Sequence, residues 1–436
     1  MRPRFARHRH ASFGSSKDSN YSYDAEIRLT QAQTDTGGLF GSRTETYTLD
    51  PLANRTRHSP VSGAWQYDAN NRLIQKGEGG DATTYAWDEA GNQTQKTEAG
   101  NKTTRYGYDS NNRLIEVKDG TNNLIARYGY DPLGRRMWKE QYRDGQGAAL
   151  PSQKRTYFLY ADEGLIAEAT QAIALNADNS VSENGTPQIT AQYGPKPNNP
   201  YTTGMLFIKA LNSNGTDTYA YYHHDHLQTP IQATDKQGNV VWAASYNAFG
   251  QATIITPAPT VDKPTITSKL RLPGQYWDEE TGLHQNYFRD YDPGTGRYTT
   301  SDPIGLKGGI NTYTYVEGNP LSYTDPKGLF KFHGQWCGPN WTGGHEKPWD
   351  RLTGDERRKV KPPEDALDSC CEVHDKCHAD CRAKFPCDMN QQKRCLESCD
   401  RRLNFCSRQS GIGSFPLEDY MRKSSPTPEK GACCPN

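Results

Sequence analysis

The sequence predicts a multidomain chain, an all-β repeat region of antiparallel strands followed by a small disulfide-rich α-helical domain. Three observations carry that reading. Aromatic or leucine residues followed by Asp recur about every 20 residues in the first third of the chain. All 11 cysteines of the 436 residues lie between Cys337 and Cys434, which puts a boundary near residue 330. Six of those cysteines are spaced in mirrored order, as two facing helices would require.

Composition narrows the classes. The chain has 51 Lys+Arg against 51 Asp+Glu, so no whole-chain field draws it to nucleic acid, and no nucleic-acid partner is expected. Hydrophobic residues are 33% and the mean hydropathy is -0.94. No apolar run reaches the roughly 18 to 20 residues of a spanning helix. The opening MRPRFARHRH leads into polar ASFGSSKDSN without the apolar stretch of a secretory signal. Synthesis in the cytoplasm without a signal peptide is therefore expected.

The repeat pairs are Leu49-Asp50, Tyr67-Asp68, Trp87-Asp88, Tyr108-Asp109 and Tyr130-Asp131, with aspartates 18, 20, 21 and 22 residues apart. Turn-like tails such as ANNRL, SNNRL and PLGRR follow them. An aromatic strand with an Asn/Gly turn is a unit that must stack on its neighbours to bury its aromatic face. Residues 45–300 are predicted as such an array, with 1–44 as a partly flexible N-terminal segment. Segment 140–218 reads as less regular, with NADNSVSENGTP and YGPKPNNP as loops. This region resembles the YD-repeat shells of RHS proteins. The stretch from Tyr222 to Pro230 is similar to another recurrent element of that family, which gives His223, His224 and His226 a structural rather than a metal-binding role.

Residues 301–329 hold two related boxes, Asp302-Pro303-Ile304-Gly305-Leu306 and Asp325-Pro326-Lys327-Gly328-Leu329, around an aromatic segment. Asp-Pro-x-Gly is by itself an ordinary turn signal. Paired carboxylates, however, share a proton, so one acts as base toward water and the other as acid toward a peptide. The two boxes resemble the RHS core-associated segment. That resemblance implies a chain that cuts itself after the second box, with Asp302 and Asp325 as the pair and Leu329-Phe330 as the scissile bond. In the family such shells sequester a variable C-terminal toxin.

Residues 330–436 are short for an unaided core. Cys370, Cys377 and Cys381 are spaced by 7 and 4, and Cys395, Cys399 and Cys406 by 4 and 7. Pairing Cys370 with Cys406, Cys377 with Cys399 and Cys381 with Cys395 gives one constant index sum, the condition for rungs between antiparallel helices. The competing reading is a zinc module, which favours CxxC pairs round a single point. His374 lies one turn after Cys370 with Asp375 beside it, and Asp400 follows Cys399, so these polar residues are drawn toward one seam. An imidazole with a carboxylate partner is a general base for water. The loop Trp336-Cys337-Gly338-Pro339-Asn340-Trp341 offers backbone carbonyls, hard donors that suit Ca²⁺.

The loop, the block Cys370-Cys371-Glu372-Val373-His374-Asp375-Lys376-Cys377 and the pair Cys399-Asp400 resemble the secreted phospholipase A2 family over about residues 333–407. The resemblance implies His374 as catalytic base, Asp400 as its partner, and Asp375 with the carbonyls of Trp336, Gly338 and Asn340 as Ca²⁺ ligands. It also implies a Cys337–Cys371 disulfide. His378 stands where many members have Tyr, and Asn340 where Gly is usual. Cys387, Cys433 and Cys434 remain over.

The combined expectation is an RHS-type toxin whose tail hydrolyses the sn-2 ester of phospholipids at a membrane surface. An immunity protein, a secretion route such as type VI and a target-cell periplasm or membrane as site of action go with it. Cytoplasmic reduction would leave the tail unstapled until export. Alternatives are a non-catalytic lipid- or receptor-binding module on the same scaffold, or a structural YD-repeat surface protein.

Overall fold

The computed structural model describes residues 4–12, 15–35, 42–197, 199–260, 262–329, 349–358, 360, 363, 366–385 and 388–409. The chain falls into two compact units, Arg4–Ser22 with Leu29–Leu329, and Phe330–Asn436 with Tyr23–Arg28.

Each aromatic-Asp pair ends a strand and opens a five-residue loop of constant design. At Asp109 the backbone N–H donates to Arg113 O at 3.0 Å, and Oδ1 accepts the amides of Asn111 and Arg113 at 2.9 and 3.0 Å. Arg113 Nε then donates to Oδ2 at 2.7 Å. Asn112 takes φ 59, the left-handed region that Asn tolerates. Asp68 with Arg72 and Asp131 with Arg135 repeat the pattern, while Asp50 and Asp88 use Asn54 and Asn92 instead of Arg. The arginines also link successive turns, since Arg72 and Arg113 donate to the carbonyls of Asp88 and Asp131.

The aromatic member reaches back across the preceding strand. The hydroxyls of Tyr67, Tyr108 and Tyr130 donate to the carbonyls of Arg55, Gln93 and Leu114 at 2.9, 3.0 and 2.8 Å. The Trp87 indole N–H donates to Leu73 O at 2.8 Å. A tyrosine thus buries its ring and satisfies its hydroxyl in one placement, which explains a core rich in Tyr and Ala rather than Leu and Ile.

These hairpins run on as a meander. A 16-stranded antiparallel sheet extends from Gln66–Tyr67 to Ala252–Ile254, each strand pairing with its sequence neighbours. A five-stranded sheet runs from Arg4–Ser12 to Arg55–His58, and a four-stranded sheet is formed by Tyr276–Trp277, His284–Asn286, Arg289–Asp292 and Arg297–Tyr298.

Within the segment 1–44, expected to be partly flexible, Arg4–Ser12, Ser15–Tyr23 and Leu29–Asp35 are strands of the five-stranded sheet. Backbone pairing holds these strands, as in Gln31 opposite Thr46, and among the described side chains Tyr21, Leu29 and Ala32 provide buried apolar groups there. Within 140–218, most of NADNSVSENGTP is strand rather than loop, while the described residues of 195–200 lie outside the strands as expected. Ala149–Ala161, Gly164–Leu175 and Val181–Gly194 are long paired strands, and only Asn176–Ser180 of NADNSVSENGTP forms the turn.

The end of this unit closes on the repeats through buried charge. Arg136 and Lys139, on Arg136–Arg143, meet Asp278 at 2.5 and 2.9 Å, and Lys139 meets Glu280 at 3.0 Å. The stretch 299–311 docks on the repeat turns. Asn311 Nδ2 donates to Leu52 O and Asn54 Oδ1, Gln93 N donates to Thr299 O, and Ser301 N donates to Gly91 O.

In the other unit, the α-helices among the described residues are α1 (Gly354–Arg358), α2 (Ala366–Lys384) and α3 (Met389–Gln409). Disulfides Cys370–Cys406, Cys377–Cys399 and Cys381–Cys395 join α2 to α3, with Cα separations of 5.8, 5.9 and 5.6 Å. Asp388 caps α3 by accepting the amides of Asn390 and Gln391. Buried Leu396 packs against the sulfurs of this ladder.

Candidate functional site

Asp302 and Asp325 each begin a β-turn, so the bland reading of their boxes is correct as far as it goes. Asp302 Oδ1 accepts Ile304 N at 3.0 Å and Asp325 Oδ1 accepts Leu329 N at 2.9 Å. What lifts them above turns is burial and convergence. They are 7% and 3% exposed, and a single nitrogen, Arg289 Nη2, lies 2.9 Å from Asp302 Oδ2 and 3.5 Å from Asp325 Oδ2. Tyr298 donates its hydroxyl to Asp325 Oδ2 at 2.8 Å. Asn286 Nδ2 donates both to that hydroxyl and to the Asp325 carbonyl, at 2.9 and 2.8 Å.

Arg289 also donates through Nε to Gly328 O, one residue before Leu329. A Cβ built on Gly308 would stand 2.3 Å from Asp302 Oδ2 and 2.9 Å from Leu329 O, so carboxyl and carbonyl both border one point. Burial pushes the Asp302 carboxyl up to about 6 against the pull of Arg289, with the Asp325 charge adding to the rise. Two carboxyls in different hydrogen-bonding surroundings, next to a peptide carbonyl, can divide acid and base roles.

In the tail unit, the His374 side chain is mostly buried on α2. Its Nδ1 lies 3.3 Å from Asp375 Oδ1, and its ring centroid is 4.0 Å from that of His378 one turn on. Asp400 lies on α3 directly after Cys399, whose Cα is 5.9 Å from that of Cys377. The Asp400 side chain, and residues Phe330, Trp336, Cys337, Gly338 and Asn340, lie outside the described residues. Cys371 is disulfide-bonded. The Sγ atoms of Cys377, Cys381 and Cys399 lie within 4.8 Å of one another, but all are in disulfides, which leaves no thiolate for zinc.

Residues 7–171 match the family model described as Teneurin YD-shell, and residues 220–254 match the model described as RHS protein. Over these residues the β region of this chain is similar to RHS and YD-shell proteins. Among curated proteins, the chain is 34% identical over 262 residues to Double-stranded DNA deaminase toxin A of Burkholderia cenocepacia, covering 56% of this chain and 17% of that protein. It is 31% identical over 261 residues to Toxin protein Tse5 of Pseudomonas aeruginosa, covering 56% and 18% respectively. A third relative, Probable deoxyribonuclease RhsA of Dickeya dadantii, is 26% identical and covers 74% of this chain and 24% of its own. The matched part is thus less than a fifth of the first two relatives. The solved structure of TcdB2-TccC3-TEV matches at 18% identity with a TM-score of 0.39, over 72% of this chain and 18% of that one.

Within this RHS/YD-repeat frame, the histidines near the second family match make separate contacts. His223 Nε2 lies 2.9 Å from Thr234 Oγ1 and His226 Nε2 lies 2.9 Å from Leu321 O, while burial depresses His224 to about 4. The residues that sequence reasoning missed are Arg289, Tyr298, Asn286 and Gly308. One signal was available for the first. Arg289 shares a strand face with buried Tyr291 and is itself buried, a place where a cation needs buried acids.

Proposed function

We propose that this chain is an RHS-type toxin that cuts its own backbone between Leu329 and Phe330, freeing a tail with calcium-dependent phospholipase A2 activity. The observation that carries the reading is the convergence of Asp302 and Asp325 on Arg289 beside the Leu329 carbonyl. Asp302, partly protonated near neutral pH, donates to the Leu329 carbonyl oxygen while Asp325 takes a proton from water. The water oxygen adds to the Leu329 carbonyl carbon. As the adduct collapses, the C–N bond to Phe330 breaks, the amine leaves with the proton from Asp325, and Asp302 recovers its own. Leu329 is left with a carboxyl group.

For the tail, support comes from the cross-linked α2 and α3, which carry His374 and Asp400 on adjoining helices. His374 withdraws a proton from water, Asp400 orients the imidazole, and the water attacks the sn-2 ester. Asp375 and the carbonyls of Trp336, Gly338 and Asn340 are all hard oxygen donors, a set suited to Ca²⁺, which when bound supplies positive charge for the ester oxyanion and the phosphate. An immunity protein in the producer, type VI export and action at a target-cell membrane or periplasm complete the reading.

A second reading, a tail acting on nucleic acid, is favoured by the names of the deaminase and deoxyribonuclease relatives. Their matches do not oblige it, since 74% of this chain is no more than residues 1–329 can supply. A non-catalytic lipid-binding tail is the third outcome. The deciding assay measures fatty acid released from phosphatidylglycerol vesicles by the full chain and by His374→Ala, with Ca²⁺ or chelator, beside DNA and tRNA substrates. Ca²⁺-dependent release lost in His374→Ala is expected. Nucleic-acid turnover without release, or vesicle binding without release, would overturn the lipase.

A further inference from the structure

We propose that Gly308 is a positioning residue for the chain scission, the absence of a side chain there being what lets the Asp302 carboxyl reach the Leu329 carbonyl. The inference rests on the self-cleavage reading above.

Three glycines follow one another closely after Asp302, and they have different reasons to be glycine. Gly305 and Gly309 take φ +60 and +148, backbone regions that L side chains rarely adopt, and a Cβ on either would meet nothing closer than 3.5 Å. Those two are explained by conformation. Gly308 is not. Its φ -78 and ψ -15 are ordinary right-handed helical values that any residue adopts. Its requirement is space, because an added Cβ would sit 2.3 Å from Asp302 Oδ2, 2.9 Å from Asp302 Cγ and 2.9 Å from Leu329 O.

None of these atoms is the loose end of a flexible chain. Asp302 is held by the Ile304 amide and by Arg289, and Leu329 is held through its amide by Asp325. A methyl group at 308 therefore has to part the carboxyl from the carbonyl, and a displacement of about 1 Å at reacting groups costs on the order of 100-fold in rate. The charged groups facing Asp302 are Arg289 and Asp325, and a methyl group changes neither.

The test follows fragment formation by intact mass in the full chain for wild type, Asp302→Asn, Gly308→Ala and Gly309→Ala, with a thermal melt of each. Gly309→Ala strains the loop without entering the gap, so it reports destabilisation alone. The expected result is cutting slowed on the order of 100-fold in Gly308→Ala but not in Gly309→Ala, whatever the melting temperatures. Gly308→Ala cutting at the wild-type rate, or both variants slowing in step with their melting temperatures, would overturn the positioning role while leaving self-cleavage intact. A wild-type chain that stays whole, like Asp302→Asn, would instead remove the reading on which it rests.

Discussion

The Tyr298 hydroxyl donates to Asp325 Oδ2 at 2.8 Å, while the opposite oxygen of that carboxylate receives the Leu329 amide at 2.9 Å. One acid therefore ties the four-stranded sheet to the residue whose carbonyl is the proposed point of attack.

Tyr298→Phe removes one donor from this carboxylate and keeps the ring over which Arg289 stacks at 3.6 Å. A hydrogen bond to a charged group contributes roughly 1.5–3 kcal/mol. Cutting should slow by about 10- to 100-fold, beyond what a fall of a few degrees in melting temperature would account for at the assay temperature. Unchanged fragment formation would show that Tyr298 does not prepare Asp325.

If Asp302 is the acid, it must carry its proton. Burial raises it from 3.8 to about 6, so the protonated form prevails below that value and falls about tenfold per pH unit above it. Cutting should weaken as pH rises from 6 to 8. The same raised value makes the folded chain the stronger proton binder, so this group stabilises the fold below its unfolded value and that contribution fades as pH rises through about 6. A rate that climbs over this range would reverse the assigned roles.

The repeat turns carry measurable stability. Asp109→Ala strips three side-chain bonds from one loop, those to Asn111 N, Arg113 N and Arg113 Nε. A lost cap of this kind costs about 1–2 kcal/mol, and a melt should register a drop of a few degrees. Gln237, an exposed loop position, serves as the neutral control.

The disulfide ladder should govern the tail. The three rungs close loops of 14, 22 and 36 residues, each contributing about 3 kcal/mol. Reductant is expected to abolish helical circular dichroism from the isolated cleavage product and any activity it has. The paired variant Cys377→Ser/Cys399→Ser should be partly protease-sensitive. Full helicity under reductant would show that packing alone holds α2 and α3.

Much of this was readable because it is periodic. The Tyr-Asp spacing states the hairpin length, and the spacing of Cys370, Cys377 and Cys381 against Cys395, Cys399 and Cys406 states a facing pair of helices. The two Asp-Pro-x-Gly boxes announce themselves as local motifs. Long-range assembly is different. Arg289 reaches Asp325 from 36 positions away, and Asn311 reaches Asn54 from 257, through docking that no local pattern encodes. The polar N-terminal strands were also hidden, since backbone pairing holds sequences such as LTQAQTD that carry few apolar residues.

The most direct test is intact mass of the full-length product. The account predicts that the wild-type chain yields a fragment ending in a free carboxyl at Leu329 and a second beginning at Phe330, and that Asp302→Asn and Asp325→Asn remain whole. Uncut wild-type chain, or equal cutting in either variant, would contradict it.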